Sequence, residues 1–188
     1  MSHPKFCVSN SFFDKYMCGQ CSAFALALHE VYGLQIETIF DPYSETGHFY
    51  VLVDAEHVLD CRGLMPKSDI IKDFGSSEAV FTRFKTYAEA ENEAMSWLAS
   101  RLDFTSAQQA VTQAKQIVQN NLWLYSPKPE ITGCDFKALF DISDSGYAHD
   151  FSQEEVDSLV QRKYVKYRRS GKLVLQVRGK EVLQKFKA

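Results

Sequence analysis

The 188-residue chain has no apolar run near the roughly 20 residues that a membrane-crossing helix needs, so no membrane association is expected. Its opening residues, Met1-Ser2-His3-Pro4-Lys5-Phe6, lack the apolar stretch of a secretory leader. A cytoplasmic protein is therefore expected, or an effector secreted by a route that uses no leader. The cysteines, at 7, 18, 21, 61 and 134, are odd in number and lack the spacing of a small cross-linked scaffold. That excludes a disulfide framework as the basis of the fold and points to free thiols in a reducing compartment. A second Cys-x-x-Cys is missing, as is a His pair, which weakens any zinc motif. There is no internal repeat and no low-complexity run.

What is present is an ordinary globular composition, 45% hydrophobic and 13% aromatic, in a chain long enough for one or two domains. Charge is distributed unevenly. Residues 159–188 hold ten Lys/Arg and one acid, a net of +9. Residues 1–158 hold 11 Lys/Arg against 23 Asp/Glu, a net of −12. A basic tail module on an acidic body follows, the tail either docking on that body or meeting an acidic partner or nucleic acid.

One stretch dominates the chemistry. Cys18-Gly19-Gln20-Cys21 leads into Ser22-Ala23-Phe24-Ala25-Leu26-Ala27-Leu28-His29-Glu30-Val31-Tyr32, and Gly33 follows. Ala and Leu favour helix, and Gly33 suits a left-handed stop. With few polar positions, this helix is expected to be central and mostly buried. Cys21 then sits in its first turn, where unpaired N–H groups and the positive dipole end favour a thiolate.

Leu34 to Phe40 alternates apolar and polar residues and predicts a half-exposed strand. His48 to Val53 and His57 to Cys61 predict two further strands around the turn Asp54-Ala55-Glu56. Val80 to Phe84 predicts a short strand. Residues 87–102 predict a helix, and a second, capped by Thr105 or Ser106, runs to about Asn120; together they form a helical hairpin. Ser126-Pro127-Lys128-Pro129 is a break, giving domains at 1–125 and 130–188. Ser152 and Glu155 form a capping box for a further helix. Tyr164–Arg169 and Lys172–Val177 form a hairpin around Ser170-Gly171. Lys180 to Phe186 predicts a short closing helix.

Cys21, His48 and Asp60 fall on helix, strand and strand in an order suited to nucleophilic catalysis. The thiol needs a base to hold it as thiolate, and the imidazole needs a third group to fix its tautomer. Register decides whether they can meet. A three-residue turn at Asp54-Ala55-Glu56 pairs Tyr50 with Asp60 and puts Asp60 on the His48 face. A two-residue turn flips Asp60 away. The sequence leaves both registers open.

The segment Cys18-Gly19-Gln20-Cys21-Ser22-Ala23-Phe24 resembles the active-site segment of papain-like proteases. With Gly47-His48-Phe49-Tyr50-Val51 and Val58-Leu59-Asp60 it is closer still to the transglutaminase-like group. The resemblance covers residues 18–64, about a quarter of the chain. It implies an α+β papain/transglutaminase-like core, a central helix packed on an antiparallel sheet, to which the helical hairpin and a small C-terminal module are added. It further implies acyl transfer through a thioester: proteolysis, glutamine deamidation or transglutamination of a protein or peptide substrate, with no cofactor. Cys21 is then nucleophile, His48 base and Asp60 orienter. Ser22 stands where the family has an aromatic residue, and Lys15 where papain-like enzymes have an oxyanion glutamine. The oxyanion is left to the Cys21 N–H and an unidentified second donor.

Two other readings of Cys-x-x-Cys are a thioredoxin-like dithiol and a zinc site completed by Cys7, His48 or Cys61. His3, His29, His57 and His149 read as surface or packing residues. The tail is similar to the end of a winged-helix domain through Leu159-Val160-Gln161-Arg162-Lys163-Tyr164-Val165 and Gly179-Lys180-Glu181-Val182-Leu183. Its first helix opens with Gln153, Glu154, Glu155 and Asp157, acids that repel phosphate, so protein docking is preferred to specific DNA binding. The alternative to an enzyme is an interaction protein whose basic module, residues 159–188, binds nucleic acid or an acidic protein.

Overall fold

Helix α1, Cys21–Tyr32, is buried from Cys21 to Leu28 and ends at Gly33 with φ 68°, a left-handed stop whose N–H donates to the His29 carbonyl. This burial follows from a sequence with almost no polar side chain in its first two turns. In the computed structural model the described residues are 15–17, 19–73, 78–129, 131–148 and 151–187, the side chains of 185–187 excepted. Cys7, Cys18, His3, His149, Phe6, Phe12 and Phe13 lie outside them. Tyr16 and Met17 are buried.

Beside α1 runs an antiparallel sheet of β1 (Ile36–Asp41), β2 (Thr46–Leu52), β3 (His57–Asp60), β4 (Gly63–Pro66) and β5 (Val80–Arg83). Its spatial order is β4-β3-β2-β1-β5. β2, which carries His48, is therefore the central strand, pairing with β1 from Thr46 to Val51 and with β3 at Val51 and Leu52. Val51 pairs with Leu59 and Leu52 with Val58, the three-residue register. Asp54 selects it: its Oδ1 accepts the N–H groups of Glu56 and His57, both at 2.8 Å. This Asx turn spends the carboxylate on closing the loop. Helix α2, Lys67–Asp73, follows β4 directly. Neither β4 nor α2 stood out in the sequence, because both are short and lack a full period of either kind.

Helices α3 (Tyr87–Ala99) and α4 (Phe104–Asn120) both pack on α1. Ala107, Ala110 and Ala114 form a buried stripe on α4, and Ala23 of α1 meets Leu98, Ala107 and Ala110. Small side chains at the crossing let the helix axes approach closely. The α4 cap is Asp103, whose side chain accepts from the Ser106 N–H, and not Thr105 or Ser106 as expected. The helix thus starts one residue before Thr105, at Phe104, and the carboxylate sits at its positive end.

The chain divides into two compact units, residues 1–129 and 130–188, and the fold is α+β. The second unit holds α5 (Gly133–Ser145), α6 (Gln153–Gln161), β6 (Val165–Tyr167), β7 (Leu173–Leu175) and α7 (Val177–Lys187). The Ser152–Glu155 capping box is formed. α5 was not foreseen; Thr132 caps it through the Asp135 N–H, and Phe136, Leu139 and Ile142 face inward. Among the described residues no helix is long and apolar enough to cross a membrane.

Candidate active site

Continuing the β2–β3 register sets Tyr50 opposite Asp60, so His48, Tyr50 and Asp60 share one face. The rings of His48 and Tyr50 lie 6.4 Å apart on it. His48 Nε2 is 2.9 Å from Asp60 Oδ2. With Nε2 engaged there, Nδ1 is the ring nitrogen left for a second partner. The Cys21 thiol donates to the Gly47 carbonyl at 4.0 Å and lies close enough to the same imidazole for the two groups to shift each other's protonation. The structure therefore brings all three sequence-nominated residues together around one ring. All three residues are buried.

Electrostatics follow from this burial. Burial alone pushes the Cys21 thiol up, but hydrogen bonding and charge from His48, with backbone N–H groups of Phe49 and Ser22, hold it below its ordinary value. Burial alone lowers His48, yet the Asp60 carboxylate and the sulfur raise it to about 9. Burial would raise Asp60, and the Arg62 charge followed by the His48 bond holds it well below the usual carboxylate range. Each shift favours an ion pair of thiolate and imidazolium, oriented by a carboxylate.

Gln20, the residue before α1, makes no side-chain cap. The first-turn N–H groups of α1 are thus left without a Gln20 side-chain acceptor, at the positive end of a buried dipole. Beside them Gly47 is required for a steric reason: a Cβ there would lie 2.3 Å from the Trp97 ring. Trp97, on α3, packs edge-on against Phe49 and Phe40 and so walls the strand that carries His48.

Sequence reasoning missed Arg62. Its side chain is buried and binds both Asp60 oxygens, through Nε at 3.2 and 2.9 Å and Nη2 at 2.6 Å. Its backbone N–H also donates to Asp60 Oδ1 at 2.7 Å. Nη1 reaches Asp73 Oδ2 at 2.5 Å, at the end of α2. The available signal was Asp60-x-Arg62, an acid and a base two residues apart in a strand turn. Cys61, considered from the sequence only as a zinc-site candidate, is buried: burial, then the Asp60 charge, pushes its thiol well above the ordinary value.

Among the described residues the other two histidines, His29 and His57, have local partners. His29 Nδ1 lies 2.6 Å from the Leu34 carbonyl and the ring stacks on Tyr87. His57 sits 3.0 Å from Asp54 at the turn. The partners that a dithiol or a Cys7-completed zinc site requires, Cys18 and Cys7, lie outside the described residues. Among the described residues no group of three His, Cys, Asp or Glu side chains is placed to hold a metal. Comparison with protein-family models, with curated proteins and with solved structures finds no match for this chain.

Proposed function

We propose that the protein is a cysteine-dependent acyl-transfer enzyme with a transglutaminase/papain-like core, acting on a peptide bond or a glutamine side-chain amide. The observation that carries this reading is the buried ring of His48, hydrogen-bonded to Asp60 and near enough to the first-turn Cys21 to lower its thiol. Few structural roles need a thiol whose value is lowered by a histidine that is itself raised.

In the first step the Cys21 thiolate attacks the amide carbonyl carbon, forming a C–S bond. The charge that develops on the carbonyl oxygen is met by the Cys21 backbone N–H at the positive end of α1. The C–N bond then breaks as His48 gives its proton to the leaving nitrogen. In the second step water or an amine attacks the thioester carbonyl, and neutral His48 takes a proton from it. The C–S bond breaks and the thiolate returns. Water as acceptor gives hydrolysis or deamidation, an amine gives transfer. Asp60 holds Nε2–H throughout, so that Nδ1 faces the sulfur.

The test is the pH dependence of iodoacetamide alkylation at each cysteine, read by mass spectrometry in wild type and His48→Ala. Cys21 is expected to react well below pH 8, ahead of the other cysteines, and to lose that lead without His48. Alkylation of Cys21 at the rate of an ordinary thiol, indifferent to His48, overturns the assignment.

A further inference from the structure

The second unit carries a groove that the catalytic reading does not use. It is open, about 830 Å³ in volume, and is bounded by the β6–β7 hairpin, α5 and the start of α7. Lys166, Arg168, Arg169 and Lys180 line it, with Tyr167 between the first two and Val174 and Leu175 along the floor. Among the described residues no carboxylate lines it.

Two contrasts set these cations apart from the rest of the unit. Arg162 is bonded through both Nη atoms to Asp135, at 2.9 and 2.6 Å, and Lys137 pairs with Asp141 at 3.0 Å. None of the four groove cations makes an ion pair with another described residue, although they cluster on one hairpin and the adjoining helix. Like charges held together without partners repel, so the arrangement stores an affinity for an anion.

The groove is also fixed in shape. Gln176 ties the start of α7 to the hairpin, its N–H donating to the Tyr164 carbonyl at 2.9 Å and its Nε2 to the Val165 carbonyl at 2.7 Å. Gly179 permits that approach, since a Cβ there would lie 2.4 Å from the Tyr164 oxygen. Lys180, which follows Gly179, lines the groove. Tyr167, 45% exposed, is steadied by Gln153, whose Nε2 donates to its hydroxyl at 2.8 Å. The acids that open α6 are partly engaged: Glu155 closes the capping box and Asp157 accepts from Gln153.

We propose that this groove binds a single strand of nucleic acid. A strand needs a row of cations for its phosphates and an aromatic face on which a base can stack, and both are present within one hairpin. A polyanionic peptide needs only the cations. A duplex read by α6 still meets the acids at that helix start, so the hairpin and not the helix is the contact surface. The inference stands apart from the chemistry of Cys21.

The experiment is fluorescence anisotropy of the full chain with a labelled oligothymidylate of about 16 nucleotides, titrated over a range of salt. The same-length duplex, polyglutamate and inorganic polyphosphate serve as competitors. Neutralisation of four phosphates gives a slope of log affinity against log salt of about −3. Arg168→Glu/Arg169→Glu is expected to abolish binding, and Tyr167→Ala to weaken it about tenfold while Tyr167→Phe retains it. Each variant lies on an exposed surface, and an unchanged melting curve shows that it folds. Failure of the strand to bind overturns the proposal. So does equal competition by polyglutamate, which assigns the groove to an acidic protein. Polyphosphate binding as tight as the strand, with Tyr167→Ala indifferent, reduces it to a plain anion site and overturns it as well.

Discussion

The start of α1 and the end of β3 each bury a cysteine, and their surroundings drive the two thiols in opposite directions. Both pay the same first penalty, loss of water, which disfavours a thiolate. At Cys21 the imidazole of His48 and two backbone N–H groups outweigh it. At Cys61 the next influence is the neighbouring Asp60 carboxylate, which adds to it. Burial therefore does not decide whether a cysteine is reactive; the sign of the nearest charge does. One carboxylate serves both outcomes, since Asp60 raises His48 chiefly through their hydrogen bond and suppresses Cys61 through its charge.

The largest effect is expected from Arg62, which keeps that carboxylate charged. Arg62→Met removes the cation from two acids, leaving Asp60 buried beside it and Asp73 nearly so. Breaking a buried pair in this way costs about 3–5 kcal/mol. Urea unfolding should show that loss in the first unit. Arg62→Lys should recover part of it, because a single ammonium cannot span both carboxylates as the guanidinium fork does. A loss below about 1 kcal/mol in Arg62→Met would show that the three groups are not mutually dependent.

Asp60→Asn tests the comparison at its shared member. Without the carboxylate charge His48 falls from about 9, and the thiol of Cys21 loses part of what holds it down. Cys61 loses one of the influences that raise it. The two thiols should converge, with Cys21 alkylated about tenfold more slowly at pH 7, a change of about 1.4 kcal/mol. Rates for Cys21 and Cys61 measured in the same digest make the comparison internal. Unchanged separation would mean that Asp60 orients nothing.

How much of this could be read beforehand depended on the range of the interaction. The α1 helix was legible because its determinants are local: an Ala/Leu run, a first-turn cysteine and Gly33 at its end. The strands of His48 and Asp60 were legible from alternation, but their register was not. Asp54 decides it by bonding its carboxylate to two N–H groups, and the sequence shows an acid in a turn without showing where its oxygens point. Arg62 escaped for a related reason: its partner Asp73 is eleven residues away, beyond a strand and most of a helix. The cap of α4 was misplaced because Asp103, Thr105 and Ser106 are all good caps, and only the backbone angles at Asp103 choose. In the second unit charge composition flagged the tail as basic, yet it could not tell paired Arg162 from unpaired Arg168.

A third prediction concerns pH. His48 is raised above the ordinary histidine value of 6.5, so its charged form stabilises the fold fully below that value. The contribution is lost as pH rises through about 9. Cys21 is lowered, so its thiolate contributes above the ordinary thiol range and that contribution is lost as pH falls through the lowered value. Through His48 the stability of the first unit should therefore fall from about pH 6.5 to about 9 with a slope of at most about 1.4 kcal/mol per pH unit, one proton's worth, reduced where Cys21 gains its thiolate contribution, and should level off above that. His48→Ala should flatten it. A separate decline above about pH 10 that persists in the variant belongs to the buried tyrosines, since burial raises Tyr16 to about 12.

The smallest effect is expected at Cys61, and its smallness sharpens the comparison. A thiol raised well above the ordinary value is neutral at physiological pH, so it places no charge beside the site for Cys21 to feel. Its backbone carbonyl, which accepts the Tyr125 hydroxyl at 2.9 Å, survives replacement of the side chain. Cys61→Ala should then cost about 1 kcal/mol from lost packing, within the range for a small buried change. The pH profile of Cys21 alkylation should not move. If it shifted downward, Cys61 would be carrying negative charge in the native protein, and the opposition between the two thiols would collapse into one coupled pair that shares a proton with His48.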